Sequence, residues 1–322
     1  MISLALGLLV IAGAISIFTG SKQGLRAQDS AAQMQESIRY ATDYLAGLIR
    51  SADLWNGIDP AFIRIGSHSI SGPKSSVTCN GDWIVRVNQG LQGYHGESAP
   101  PIDCVSPADY VPQSDMLAVR RIDPDTFTAV EQIRDKNNSR RIYLRSRLGL
   151  DGYLYQGNRQ SEAEQQIPGG HGVLDHEYDF QLLFLRRCIV KTGGTCAASS
   201  TTPTLTSLQL QSDGSVSQVT LVQNVEQLKF EYGVDSNGDR AVDRYQTAAQ
   251  VTEWNKVLSM RTYLIIRGDA PDHFRDQQIY AMGEGFCHGP RTSTCQSRYG
   301  GFERYQRRLI TQEVLIRNRQ RR

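Results

Sequence analysis

The first eighteen residues, Met1 to Phe18, contain no Asp, Glu, Lys or Arg, and no proline interrupts the chain from there to Ser51. The missing prolines leave an unbroken helix possible, because a proline inside it would remove a backbone donor and clash with the preceding turn. The missing charges leave a run of about 18 apolar residues, long enough to span or embed in a bilayer at a rise of roughly 1.5 Å per residue. No Lys or Arg precedes that run, and Thr19-Gly20-Ser21-Lys22 continues into helix-forming sequence. A secretory signal peptide, with its basic start, short apolar core and cleavage site, is therefore set aside. C-x-x-C, H-E-x-x-H, G-x-S-x-G, P-loop and G-x-G-x-x-G patterns are also missing. Zinc-finger, zincin, hydrolase, nucleotidase and dehydrogenase readings thus have no motif behind them. With 35 basic and 33 acidic residues, the net charge of +2 marks neither a polyanion nor a polycation.

Beyond Gly20 the apolar residues become spaced. Ala31, Met34, Ile38, Ala41, Leu45 and Leu48 follow a three-four alternation, with Arg39, Asp43 and Arg50 off the stripe. This is one face of an amphipathic helix. It covers too few heptads for a persuasive coiled coil and suits packing on the chain's own globular part. Residues 1–50 thus read as a helical stalk, with 1–20 apolar all round, and residues 51–322 as a head. Those roughly 270 residues suffice to bury their own core, and no low-complexity linker divides them.

The six cysteines fall in close couples along the chain: Cys79 with Cys104, Cys188 with Cys196, and Cys287 with Cys295. An even number suits disulfides in an oxidising compartment. Six cysteines allow fifteen pairings, so connectivity stays open. Nearest-neighbour bridging, stapling local loops such as Lys191-Thr192-Gly193-Gly194-Thr195, is the favoured arrangement. Disulfides put the head outside the cytoplasm and the amino terminus inside. The first cations, Lys22 and Arg26, then lie on the outer side of the apolar run, against the positive-inside tendency. Basic residues preceding Met1 would reconcile the two.

Short aliphatic and aromatic runs near turn formers read as strands: Trp83–Val87, Met116–Arg120, Phe180–Leu185, Gln218–Val222, Leu228–Tyr232, Leu258–Arg267 and Leu309–Arg317. Thr204–Leu210, followed by Ser212-Asp213-Gly214, reads as half of a hairpin, while Gly66–Lys74 and Asn88–Pro112 read as long loops. The expected fold class is α+β: a long amino-terminal helix packed on a mainly antiparallel β head.

Several phrases resemble the PilW-type minor pilins of type IV pili, which are related to the J-type minor pseudopilins of type II secretion. The opening Met1-Ile2-Ser3-Leu4-Ala5-Leu6-Gly7-Leu8 looks like the stretch just after that family's processing site. Ser114-Asp115-Met116-Leu117-Ala118-Val119-Arg120, the run from Asn224 to Asp235, and the closing Thr311 to Arg319 are similar to its head. The family's processing site and the glutamate shortly after it would precede Met1. The resemblance implies a type IV pilin-like fold and a helix first held in the inner membrane, with the head in the periplasm. It further implies later packing among pilin helices in the fibre or at its tip. Implied partners are other minor pilins, the major pilin and a tip adhesin; implied processes are pilus assembly, adhesion and twitching motility. Gly7, Gly13 and Gly20 would permit close helix approach.

Asp235-Ser236-Asn237-Gly238-Asp239-Arg240-Ala241-Val242-Asp243 places oxygen ligands as in the first part of a calcium loop: Asp235, Asn237, Asp239, the Ala241 carbonyl and Asp243. Glycine stands fourth instead of sixth, Arg240 adds a positive charge, and position twelve is Gln246. A metal-free Asp/Asn/Gly turn between strands explains the same residues, so Ca2+ is the one possible cofactor. His171 and His176 read as loop histidines, with a metal pair through Asp175 or Glu177 as the lesser alternative. The arginines Arg304, Arg307, Arg308, Arg317, Arg319, Arg321 and Arg322 crowd the carboxyl end. They suit a final strand with charged ends better than a nucleic-acid surface, for which Tyr305 alone is a poor stacking platform. The resulting expectation is a structural, non-enzymatic minor pilin of pilus assembly. The alternatives are a minor pseudopilin of type II secretion and a membrane-anchored calcium-dependent binding module.

Overall fold

In the computed structural model, which describes residues 2–74, 76–127, 139–271 and 275–319, the proline-free stretch forms one helix, α1 (Ile2–Ser51). Its 50 residues give a rod of about 75 Å. The helix stops where Asp53 adopts a left-handed conformation (φ 62°) and Ala52 N–H bonds back to the Ile49 carbonyl at 3.2 Å. Asp53 is then fixed from both sides: Oδ1 accepts from the Trp55 indole at 2.7 Å and Oδ2 from Arg319 Nε at 3.0 Å.

Three sheets follow. The largest uses β1 (Ile63–Ile65), β2 (Leu91–Tyr94), β3 (Met116–Phe127), β4 (Ile142–Arg147), β5 (Asp151–Gln156), β6 (Val173–Arg186), β7 (Thr204–Leu210) and β8 (Val216–Gln223). Its main path is β1-β5-β4-β6-β3-β2, with β7 pairing both β6 and β8. A four-stranded sheet, β10-β9-β11-β15, is built from β9 (Val225–Val234), β10 (Arg244–Gln246), β11 (Val257–Pro271) and β15 (Tyr305–Leu315). A small third sheet joins β12 (Tyr280–Ala281), β13 (Cys287–Gly289) and β14 (Ser297–Arg298). Pairing is antiparallel except for β1 with β5 and β13 with β14. The architecture is thus α+β.

The period of two along a strand decides which core each residue enters. On β3, Leu117 and Val119 face a core shared by α1, the four-stranded sheet and one face of the large sheet, while Met116, Ala118 and Ile122 face the other side. On β6, Leu183 and Leu185 join the first core, and Phe180, Leu182 and Phe184 the second. The second core is closed by the segments carrying Trp55, Ile70, Trp83 and Ile102.

Trp83–Val87 corrects the sequence expectation, being a helical turn, α2 (Gly81–Ile84), and not a strand. The Asn80 side chain caps it by accepting from Trp83 N–H at 2.9 Å. The Trp83 and Ile84 carbonyls accept from the buried Arg120 guanidinium at 2.9 and 3.1 Å, taking the place of a neighbouring strand. Within the expected loop Asn88–Pro112, Leu91–Tyr94 forms β2 by pairing with β3. β4, β5 and the seven-residue helix α3 (Gln160–Gln166) were not anticipated.

Candidate functional site

α1 meets two different environments. From Ile11 to Asp29 the described side chains are exposed, among them Ile11 at 58%, Ile17 at 73% and Phe18 at 68%. A Cβ added at Gly7, Gly13, Gly20 or Gly24 would meet nothing within 4 Å, so no part of the head lies against these positions. Lower down, Met34, Ala41, Leu45 and Leu48 are buried, and Ala31 and Ile38 are half-buried. Ala46, Ile49 and Ala52 are buried as well, widening the stripe beyond its anticipated six positions. The socket receiving them is formed by β3, β8, β11 and β15. Tyr44 donates to Gln181 Oε1 at 2.6 Å, and burial pushes its hydroxyl up to about 12. Glu36 and Arg39 pair at 2.6 Å on the exposed side. Among the described residues no helix is long and apolar enough to cross a membrane. The side chains of residues 1–6 and 8–10, which make up half of the apolar run, lie outside the described ones.

The six sulfurs pair as Cys79–Cys104, Cys188–Cys196 and Cys287–Cys295, with Cα separations of 5.3, 5.6 and 5.1 Å. The first closes a loop over the second core; the second closes the turn leaving β6; the third ties β13 to the segment before β14. The ring of His288, beside Cys287, bridges Ser297 Oγ at 2.8 Å and Glu226 Oε2 at 3.2 Å.

The Asp235 loop links β9 to β10, and the side-chain oxygens of Asp235, Asn237, Asp239 and Asp243 accept hydrogen bonds from within the loop. Asp235 accepts from Gly238 N–H at 2.6 Å and Arg240 N–H at 2.9 Å; Asn237 Oδ1 accepts from Asp239 N–H at 2.8 Å. Asp239 accepts from Ala241 N–H at 2.8 Å, and Asp243 from Ser236 N–H at 2.7 Å. The Asn237 amide, expected as a ligand, donates to Asp239 and Asp243 at 3.1 and 3.2 Å. Gly238, with φ 83°, and Arg240, with φ 68°, supply the left-handed positions that close the turn. Among the described residues no group of three or more His, Cys, Asp or Glu is arranged to hold a metal ion. His171 stays in an exposed turn, whereas His176 lies within β6 and is buried, correcting its reading as a loop residue.

What the sequence did not disclose is a set of buried charges joining the sheets. Asp115, at the start of β3, accepts from Lys229 Nζ and from the Phe230 and Gly96 amides, both at 2.8 Å. Glu226 receives Arg307 Nε at 2.6 Å and Arg267 Nη1 at 3.1 Å, with His288 as a third partner. Burial pushes the Glu226 carboxyl up, but the His288 hydrogen bond and the Arg307 guanidinium outweigh it and hold it below its ordinary value. Of the carboxyl-terminal arginines, Arg307 and Arg319 are thus internal ion-pair partners, while Arg304, Arg308 and Arg317 are exposed. Arg321 and Arg322 lie outside the described residues. The signal available in sequence was the alternation of charged and apolar residues in Val225-Glu226-Gln227-Leu228-Lys229-Phe230-Glu231-Tyr232, since all of these are buried.

A long helix with one apolar half free among the described residues and the other seated in a disulfide-stapled, three-sheet head defines a class of helix-stalked α+β proteins. Within it, residues 189–318 match the family model described as Type IV Pilus-assembly protein W, PilW. The match takes in β9, β11, β15 and the small sheet, less than half of the chain, and over that part it supports a relation to the type IV pilus-assembly proteins. Comparisons with curated proteins and with solved structures find no match.

Proposed function

We propose that the chain is a structural, non-enzymatic minor pilin that helps initiate a type IV pilus or sits near its tip. The observation that carries this reading is the division of α1: its free half exposes Ile11, Ile15, Ile17, Phe18 and Leu25, which an aqueous setting would not favour. Lipid before assembly and neighbouring helices afterwards would each cover that surface, with little change in apolar burial between them. Residues 1–20 are the membrane and fibre-core segment in this reading, and the remaining head faces the periplasm. Other minor pilins, the major pilin and a tip adhesin are the partners. The three disulfides suit that compartment.

The test is fractionation of sheared surface fibres together with a count of fibres per cell. The full chain is expected in the sheared fraction, and its deletion should reduce fibre number. An Ile11→Ser/Ile15→Ser/Phe18→Ser variant should keep a folded head yet leave that fraction. Unchanged fibre number on deletion, with loss of protein secretion instead, would replace the proposal with a type II secretion pseudopilin.

A further inference from the structure

We propose that the cleft between the end of β6 and the small sheet is a binding site for an acidic peptide segment of a partner chain, recognised through its carboxylates. The cleft has a volume of about 360 Å³, within the range of pre-formed ligand sites. Val111, Pro112, Pro203 and Phe302 give it apolar walls. Its charged lining consists of three guanidinium groups, from Arg187, Arg267 and Arg298, and the single carboxylate of Glu226.

Glu226 cannot serve all three. Its oxygens already take Arg307 at 2.6 and 3.1 Å, Arg267 at 3.1 Å and His288 at 3.2 Å. Arg267, 4% exposed, also donates to the Thr201 carbonyl at 2.8 Å, and its guanidinium lies over the rings of Phe302 and Tyr305 at 4.5 and 4.6 Å. Its Nε is buried without a hydrogen-bond partner. Arg187 spends Nε on the Tyr110 carbonyl at 2.8 Å and forms no ion pair among the described residues. Arg298, exposed at the rim, forms neither hydrogen bond nor ion pair there.

Other buried arginines are provided for internally. Arg120 has the Trp83, Ile84 and Gln89 carbonyls, and Arg145 has the Ile167 carbonyl and Asp175. In this cleft donors outnumber acceptors, and a buried unsatisfied donor is costly until a partner arrives. A guanidinium fork matches a carboxylate through two parallel hydrogen bonds, strengthened by the partly desolvated setting. The apolar walls select against a bare anion and for carboxylates carried on aliphatic chain. Two guanidinium groups without a countercharge fit two carboxylates close together, as in an Asp-Glu pair.

The assay is fluorescence anisotropy of a dye-labelled Gly-Leu-Asp-Glu-Leu peptide with the detergent-solubilised full chain, against the Gly-Leu-Asn-Gln-Leu carboxamide. The acidic peptide should bind about tenfold or more tightly than the control, and binding should weaken with salt. An Arg298→Ala variant should lose about tenfold in affinity with an unchanged thermal midpoint; because Arg298 is exposed at the rim, its fold is preserved where an Arg187 or Arg267 variant would lose internal hydrogen bonds. Equal binding of the two peptides, or unaltered binding by the Arg298→Ala variant, would each overturn the proposal. The site does not rest on the role of α1: a chain missing from fibres would still bind the peptide.

Discussion

The two halves of α1 share one backbone geometry and differ in everything around it. Below Ala41 the helix loses its apolar face to the socket; above Ser30 its described side chains meet only solvent. An amphipathic stripe therefore identifies a helix's home in its own fold, whereas continuous apolarity identifies a surface reserved for something outside it.

Introducing a charge separates the halves most sharply. Leu45→Asp places a carboxylate in the socket, where nothing compensates it, and should cost on the order of 4–5 kcal/mol or abolish cooperative folding. Leu25→Asp, on the free half, should leave the urea midpoint unchanged. Acid should follow the same division. The folded Glu226 carboxyl titrates below its ordinary value, so the stability it contributes is present above the unfolded value of about 4.3. That stability is lost as pH falls through the lower folded value. Thermal midpoints between pH 6 and 3 should fall steeply below about pH 4.3. Glu226→Gln should flatten that fall, and Glu36→Gln on the exposed helix face should not. Truncation is milder: Ile49→Ala should cost about 2–5 kcal/mol, and Ile17→Ala less than about 0.5 kcal/mol, by denaturant titration. Within the socket the mildest change is Tyr44→Phe, which removes the hydrogen bond to Gln181 and should cost about 1 kcal/mol. Comparable losses from Ile17→Ala and Ile49→Ala would show that the free half also docks on the head.

Strands whose partners lie on both faces were legible because aliphatic and aromatic residues dominate them, as in β3, β6 and β11. β4 was hidden by Arg145 and Arg147, which break the apolar run; Arg145 is buried with Asp175, thirty residues away, and the Ile167 carbonyl receiving it. Trp83–Val87 has strand composition, but a remote arginine claims its carbonyls. The charge network was out of reach for the same reason: Lys229 and Asp115 are separated by 114 residues and Arg307 and Glu226 by 81. Even so, Ser114–Arg120 and Asn224–Asp235, two phrases that carried the family resemblance, meet at Asp115 and Lys229. Those phrases form the join between two sheets, which composition and periodicity do not register.

The clasp at the base of α1 has a mechanical meaning. Asp53 holds Arg319, Asn318 Nδ2 donates to the Ala52 carbonyl at 3.0 Å, and Asp53 N–H bonds to the Arg120 carbonyl of β3 at 3.2 Å. Tension drawn along the helix thus passes directly into the last described residues and the large sheet. The clasped partners are 266 positions apart in sequence, so the chain between them forms a closed circuit beside the load path, and a pulled stalk must break the clasp before it can unravel the head from its amino-terminal side.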